Sequence, residues 1–201
     1  MEEESRLKVF LSSALVGLED LRAVLIDFLE KEKGYQIIYY GDKCSGPLTG
    51  KTVESCLKGV RCSNFLVLII DKRYGSVNPQ DDDDILQNDE GIPISLTERE
   101  YLEATKHGIQ VFPYCRDEVC MVRKIWKTNP KMNFKWDKDH KYDNPKKLMN
   151  FLDKLKEKYL VQQFHNAIDL KDTLSRNKFY FDELEVPSQL TDENENVEVV
   201  S

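Results

Sequence analysis

Phe65-Leu-Val-Leu-Ile-Ile70 is the most apolar run of the chain, and its reading decides the fold. Six apolar residues without alternation predict a strand covered on both faces, the condition of an inner strand in a parallel sheet. On its N-terminal side, Val53, Cys56, Leu57 and Val60 recur at helical spacing, and Gln36-Ile-Ile-Tyr-Tyr40 reads as another strand. Further out, Leu18, Leu21, Leu25, Phe28 and Leu29 mark a longer helix that Gly34 stops, after an opening strand Leu7-Lys-Val-Phe-Leu-Ser12. On the C-terminal side, a polar segment 76–93 precedes a helix from Ser95 to Lys106. Gly108 ends it, and Ile109-Gln-Val-Phe-Pro-Tyr114 is a fourth strand. The order β-α-β-α-β-α-β predicts an α/β fold: a parallel sheet with helices on both faces.

Past residue 115 the pattern is less regular. Leu148, Phe151, Leu152, Leu155 and Tyr159 predict a helix over 146–159, and Asp169 or Asp172 is placed to cap a last one ending near Asn177. The expected organisation is one domain over 5–186, its C-terminal helices starting at about 146, followed by a flexible acidic tail over 187–201.

The 201 residues are 40% hydrophobic and 32% charged, and mean hydropathy is −0.55, a globular composition able to form a sizeable core. The formal charge of −7 is unevenly spread. After Lys178 there is no Lys or Arg, but Asp182, Glu183, Glu185, Asp192, Glu193, Glu195 and Glu198 follow; without these seven, 29 acids balance 29 bases. A neutral body with an acidic end argues against a nucleic-acid partner. No stretch nears the ~18 apolar residues of a membrane span. The acidic start Met1-Glu-Glu-Glu-Ser5 is unlike a signal peptide, so a cytoplasmic location without membrane contact is expected. Five cysteines (Cys44, Cys56, Cys62, Cys115, Cys120) include no C-x-x-C pair and are expected to be thiols rather than metal ligands.

Ligands of open parallel sheets sit beyond the carboxyl ends of the strands. Ser12-Ser13, after the first strand, either holds phosphate or ribose or caps the next helix. Ser45-Gly-Pro-Leu-Thr-Gly50-Lys51-Thr52 ends like a phosphate-binding P-loop, which would make the chain an ATPase. Its first glycine is displaced, however, and Gly41–Cys44 separate it from the strand. Asp71-Lys-Arg73-Tyr74-Gly75 follows the buried strand, where an arginine and a ring can hold a base or ribose, or Gly75 simply turns the chain while Arg73 pairs with an acid. Asp81-Asp-Asp-Asp84 lacks the alternation and glycine of a calcium loop. In Ser95-Leu-Thr97-Glu98-Arg-Glu100, acids near a helix start suit the macrodipole. A carboxylate there can also stabilise a cationic sugar.

Val9-Phe-Leu-Ser-Ser13 with Leu18 and Arg22, then Cys56-Leu57, Arg73-Tyr74-Gly75 and Ser95-x-Thr97-Glu98-x-Glu100-Tyr101-x-Glu103-Ala104 stand in a characteristic order. Over about residues 7–115 the chain resembles the domain-of-unknown-function family DUF4062, often found ahead of STAND-type NTPase modules and itself similar to TIR domains. The chain departs from the family pattern at Ala14, Gly17 and Leu21, where the family prefers Thr, Asp and Glu.

The resemblance implies a flavodoxin-like, TIR-like sheet and a role in immune or anti-phage signalling, as a stand-alone form or one part of a multi-gene system. Active TIR enzymes carry a catalytic Glu in a helix after a Ser, which maps to Glu100, with Glu98 second. The implied activity is cleavage of NAD at the nicotinamide–ribose bond, by hydrolysis or with cyclisation. NAD is then the substrate, with no metal or bound cofactor required. Ser12, Ser13, Arg73 and Tyr74 would line the pocket, and Ser95 would position the Glu100 helix. A homo-oligomer or a partner signalling protein is expected on the same ground. The rival readings are a non-catalytic TIR-like adaptor, a nucleoside deoxyribosyltransferase-like enzyme, and the P-loop ATPase.

Overall fold

The computed structural model describes residues 6–14, 17–39, 50–75, 92–129, 131 and 144–176, with side chains of the 50–75 segment from Val53 onward. The P-loop-like segment before Gly50, the Asp81–Asp84 run and the acidic tail lie outside the described residues.

Among the described residues, five parallel strands form one sheet: β1 (Lys8–Ser13), β2 (Gln36–Ile38), β3 (Phe65–Ile70), β4 (Gln110–Arg116) and β5 (Gln162–Phe164). Their spatial order is β2-β1-β3-β4-β5, the flavodoxin-like order. The described residues also form six α-helices: α1 (Glu19–Asp27), α2 (Gly50–Arg61), α3 (Leu96–Lys106), α4 (Asp117–Thr128), α5 (Pro145–Lys158) and α6 (Ala167–Arg176). A wider turn, Phe28–Glu32, continues α1.

All six residues of β3 are buried, as its unbroken apolar run predicts. Because side chains alternate across a strand, the run feeds two cores. Leu66, Leu68 and Ile70 join Phe10 beneath α2, α3, α4 and α5. Phe65, Val67 and Ile69 join Val9 and Leu11 beneath α1 and α6. The alternation in β1 is thus fixed by its apolar residues: even numbers face α3 and odd numbers face α1.

The C-terminal part departs from expectation by one helix and one strand. The apolar pattern of the fourth strand stops at Tyr114 and no regular pattern follows until 146, whereas β4 runs to Arg116 and α4 follows at once. In α4 the buried Val119 and Cys120 are offset by Met121 and Ile125, which are 61% and 48% exposed, so the apolar residues surround the helix and blur its period. Strand β5 has only three residues, two of them glutamine, too few for an alternating pattern. It pairs with Tyr114, Cys115 and Arg116, starting just past Pro113, so the proline sits where β4 meets no described strand on that side. Strand β2 is also shorter than read, ending at Ile38.

Of the described cysteines, Cys56, Cys115 and Cys120 are buried thiols and Cys62 is an exposed one. Among the described residues no helix is long and apolar enough to cross a membrane.

Candidate active site at the carboxyl edge of the sheet

Strands β1 and β3 are neighbours whose following helices pack on opposite faces, α1 on one and α3 on the other. That divergence makes the carboxyl ends of β1 and β3 the switch point of the sheet, the usual ligand position in such folds. Ser12 and Ser13 end β1, and Asp71–Gly75 leave β3 at the same edge.

The period of two separates the serines. Ser12, on the side of Phe10, donates its Oγ proton to Glu100 Oε2 of α3 at 2.5 Å. Ser13, on the side of Leu11, accepts a 2.6 Å hydrogen bond from Arg22 Nη1 of α1. Ser12 and Ser13 therefore bind through opposite helices rather than lining one wall together.

Glu100 is only 4% exposed. Burial raises its pKa from 4.5 to about 7, while the Ser12 hydrogen bond and the Arg22 charge pull the other way. A carboxyl held near pH 7 at the switch point can take either protonation state in use. Helix α3 carries two further buried acids with other fates. Glu103 takes a 2.6 Å hydrogen bond from Arg61 of α2. Burial pushes its pKa up, but that arginine, with His107 and Lys106, brings it below the ordinary value.

Glu98 stands two residues before Glu100, about 200° round the helix, and so faces α5. Its carboxylate accepts hydrogen bonds from the Tyr74 hydroxyl and, at 3.1 Å, from Lys154 Nζ. Burial, reinforced by Glu98, raises the Tyr74 pKa. The fully buried Ser95 caps α3, its Oγ accepting the Glu98 N–H at 3.2 Å. The structure thus brings Ser12 to Glu100, and gathers Tyr74, Ser95 and Glu98 into a second group on the other flank of α3.

Gly75, at φ 97°, makes the turn that lets Tyr74 reach Glu98, and a Cβ there would sit 3.4 Å from Ser95 Cβ. Gly75→Ala is expected to cost about 1–2 kcal/mol, chiefly from the left-handed backbone. Urea denaturation checks this; an unchanged midpoint would contradict it.

Arg73 turns the opposite way from Tyr74. Three atoms of its guanidinium lie 3.8–3.9 Å from where a Cβ on Gly17 would stand. Two residues were given no site role from sequence: Arg22, which stands only within the family motif, and Glu19. The signal for Arg22 was available: it lies four residues after Leu18 on the apolar stripe of α1, and it is 7% exposed. Glu19 belongs to the ordinary acidic first turn of a helix, so nothing in the sequence marks it.

Comparison with curated proteins finds no match. A solved structure described as "the activated Roq1 resistosome directly recognizing the pathogen effector XopQ (TIR domains)" is similar to 86% of this chain and 99% of that one, at 18% identity and a TM-score of 0.47. The sequence model of the family described as "Domain of unknown function (DUF4062)" matches residues 8–178, most of the chain, and the protein belongs to that family.

Proposed function

We propose that this protein is a TIR-type signalling protein that cleaves NAD at the nicotinamide–ribose bond, with Glu100 as its working carboxylate. The observation that carries this reading is the Ser12–Glu100 hydrogen bond at the β1/β3 switch point, with the carboxyl pKa near 7. The pyridinium of NAD leaves as neutral nicotinamide, taking the pair of electrons of the C–N bond and needing no proton. The ribose carbon is left electron-poor, and an ionised carboxylate stabilises that charge. Water then adds at that carbon and loses a proton, or an adenine nitrogen adds to close a ring. Glu100 acts ionised in this scheme, so the rate rises as pH passes through about 7.

Ser12 would hold the carboxylate in place, while Tyr74, Glu98 and Ser95 would fix the start of α3. The near-complete burial of Glu100 favours one rival, a non-catalytic adaptor in which the same hydrogen bond merely ties α3 to β1.

Concentrated purified protein incubated with NAD and assayed for nicotinamide by chromatography decides between them. The expected result is release, with an acid limb near pH 7 that moves to higher pH in Ser12→Ala, since loss of the hydrogen bond removes a cause that lowers the Glu100 pKa. Intact NAD at every pH would leave the adaptor.

A further inference from the structure

Outside the Ser12–Glu100 pair, the switch point holds a second constellation with a different charge. Arg22 comes from α1 and is nine-tenths buried; Arg73 comes from the loop after β3 and lies against Gly17. The Arg22 guanidinium is fixed on one side by Ser13 Oγ at 2.6 Å and lies 5.6 Å from the centre of the Tyr39 ring. Arg73 presents Nη2, Cζ and Nε at nearly equal distances of 3.8, 3.9 and 3.9 Å from the same point above Gly17. That equality means the guanidinium lies flat against the glycine. Its N–H edge therefore points sideways, in the geometry that pairs with two oxygens of an oxyanion.

The protein already supplies one oxyanion there. Glu19 Oε1 accepts the Gly17 N–H at 3.0 Å, and both Arg73 and Arg22 act on the same carboxylate. Its own backbone N–H and that of Gly17 lower the Glu19 pKa first, and the two arginines add to the effect. The carboxylate is solvent-exposed, so its hold on the arginines is weak and an incoming anion can displace it.

We propose that Arg22 and Arg73 bind the diphosphate of a nucleotide beside Gly17, at the place where the Glu19 carboxylate now lies, making Glu19 an internal competitor for that anion. The proposal deepens the NAD reading and rests on it for the identity of the nucleotide. A diphosphate suits the place better than one phosphate, because two guanidinium groups from different elements can each take one phosphoryl unit. Binding by the diphosphate would also set the nicotinamide ribose toward Glu100 through the shared Arg22, which acts on both carboxyl groups.

The test is calorimetric titration of the full chain with inorganic pyrophosphate and, separately, inorganic phosphate, alongside the KM for NAD. Pyrophosphate is expected to bind more tightly than phosphate. Arg73→Gln should weaken pyrophosphate by about tenfold, the worth of one charge-assisted hydrogen bond, and raise the KM for NAD with less effect on kcat. Glu19→Gln should tighten pyrophosphate about two- to fivefold, the range of an exposed ion pair. Arg73→Lys, which keeps the charge without the flat fork, should fall between wild type and Arg73→Gln. Pyrophosphate affinity that is absent, or unchanged by Arg73→Gln, or weakened by Glu19→Gln, overturns the proposal even if NAD is cleaved. Intact NAD together with the expected pyrophosphate series instead rejects the NAD reading and keeps the anion site.

Discussion

Glu100→Gln loses NAD cleavage by roughly 10³-fold and at the same time becomes more stable than the wild type above pH 7. The first half follows from the chemistry: glutamine keeps the shape and the acceptor for Ser12 but has no negative charge for an electron-poor ribose, and a loss of one such electrostatic group is typically 10²–10³-fold. The second half follows from linkage. In the folded protein Glu100 keeps its proton up to about pH 7, against an ordinary value of 4.5 in the unfolded chain. Between those values the folded state binds more protons, so stability falls as pH rises from about 4.5 to 7 and stays at the lower level above. Glutamine cannot ionise and escapes that loss. At about 1.4 kcal/mol per unit of pKa, the variant gains roughly 3 kcal/mol at pH 8 and close to nothing at pH 4. Urea denaturation of both proteins at pH 4 and pH 8, beside nicotinamide release, measures both halves. A residue kept only to tie α3 to β1 would show no activity to lose. A variant less stable than wild type at pH 8 would show that Glu100 is not strained by its burial.

Phe65→Ala is expected to cost roughly 3–5 kcal/mol, a large share of the 5–15 kcal/mol that holds a domain together. Phe65 is fully buried, with its ring edge-on to Tyr35 at 5.7 Å and to Phe112 at 5.6 Å. Alanine removes both ring contacts and leaves a void between β1, β3 and β4 on the α1 side of the sheet. Phe65→Leu keeps most of the volume and should cost well under half as much. Equilibrium unfolding of the two variants tests this; a loss below about 1 kcal/mol for alanine would mean that the site closes over the void.

How much of this was legible depends on how many residues share a pattern. Strand β3 is read to the residue, because six apolar side chains in a row have only one place in a parallel sheet. Helix α3 is read almost as well, through the Ser95 cap and Gly108, whose φ of 67° turns the chain out. Helix α4 is not, since Met121 and Ile125 on its outer face hide the stripe formed by Val119 and Cys120. Within the site, Glu100 stands out by its motif and Glu98 beside it looks equivalent. Only two residue steps of a helix, about 200°, separate them, sending one to β1 and the other to Tyr74 and Lys154.

By itself, the sequence determined the alternation of strands and helices, the inner position of β3, and the group of residues that meet at the carboxyl edge, because local periodicity and chain order suffice for these. The tertiary structure decided what those residues do to one another. Packing α1 and α3 on opposite faces gives Ser13 to Arg22 and Ser12 to Glu100 and removes water from Glu100, while packing α2 beside α3 gives Glu103 an arginine. Desolvation and charge pairing depend on neighbours far away in the chain: Ser12 and Glu100 are 88 residues apart. No local pattern records such a meeting.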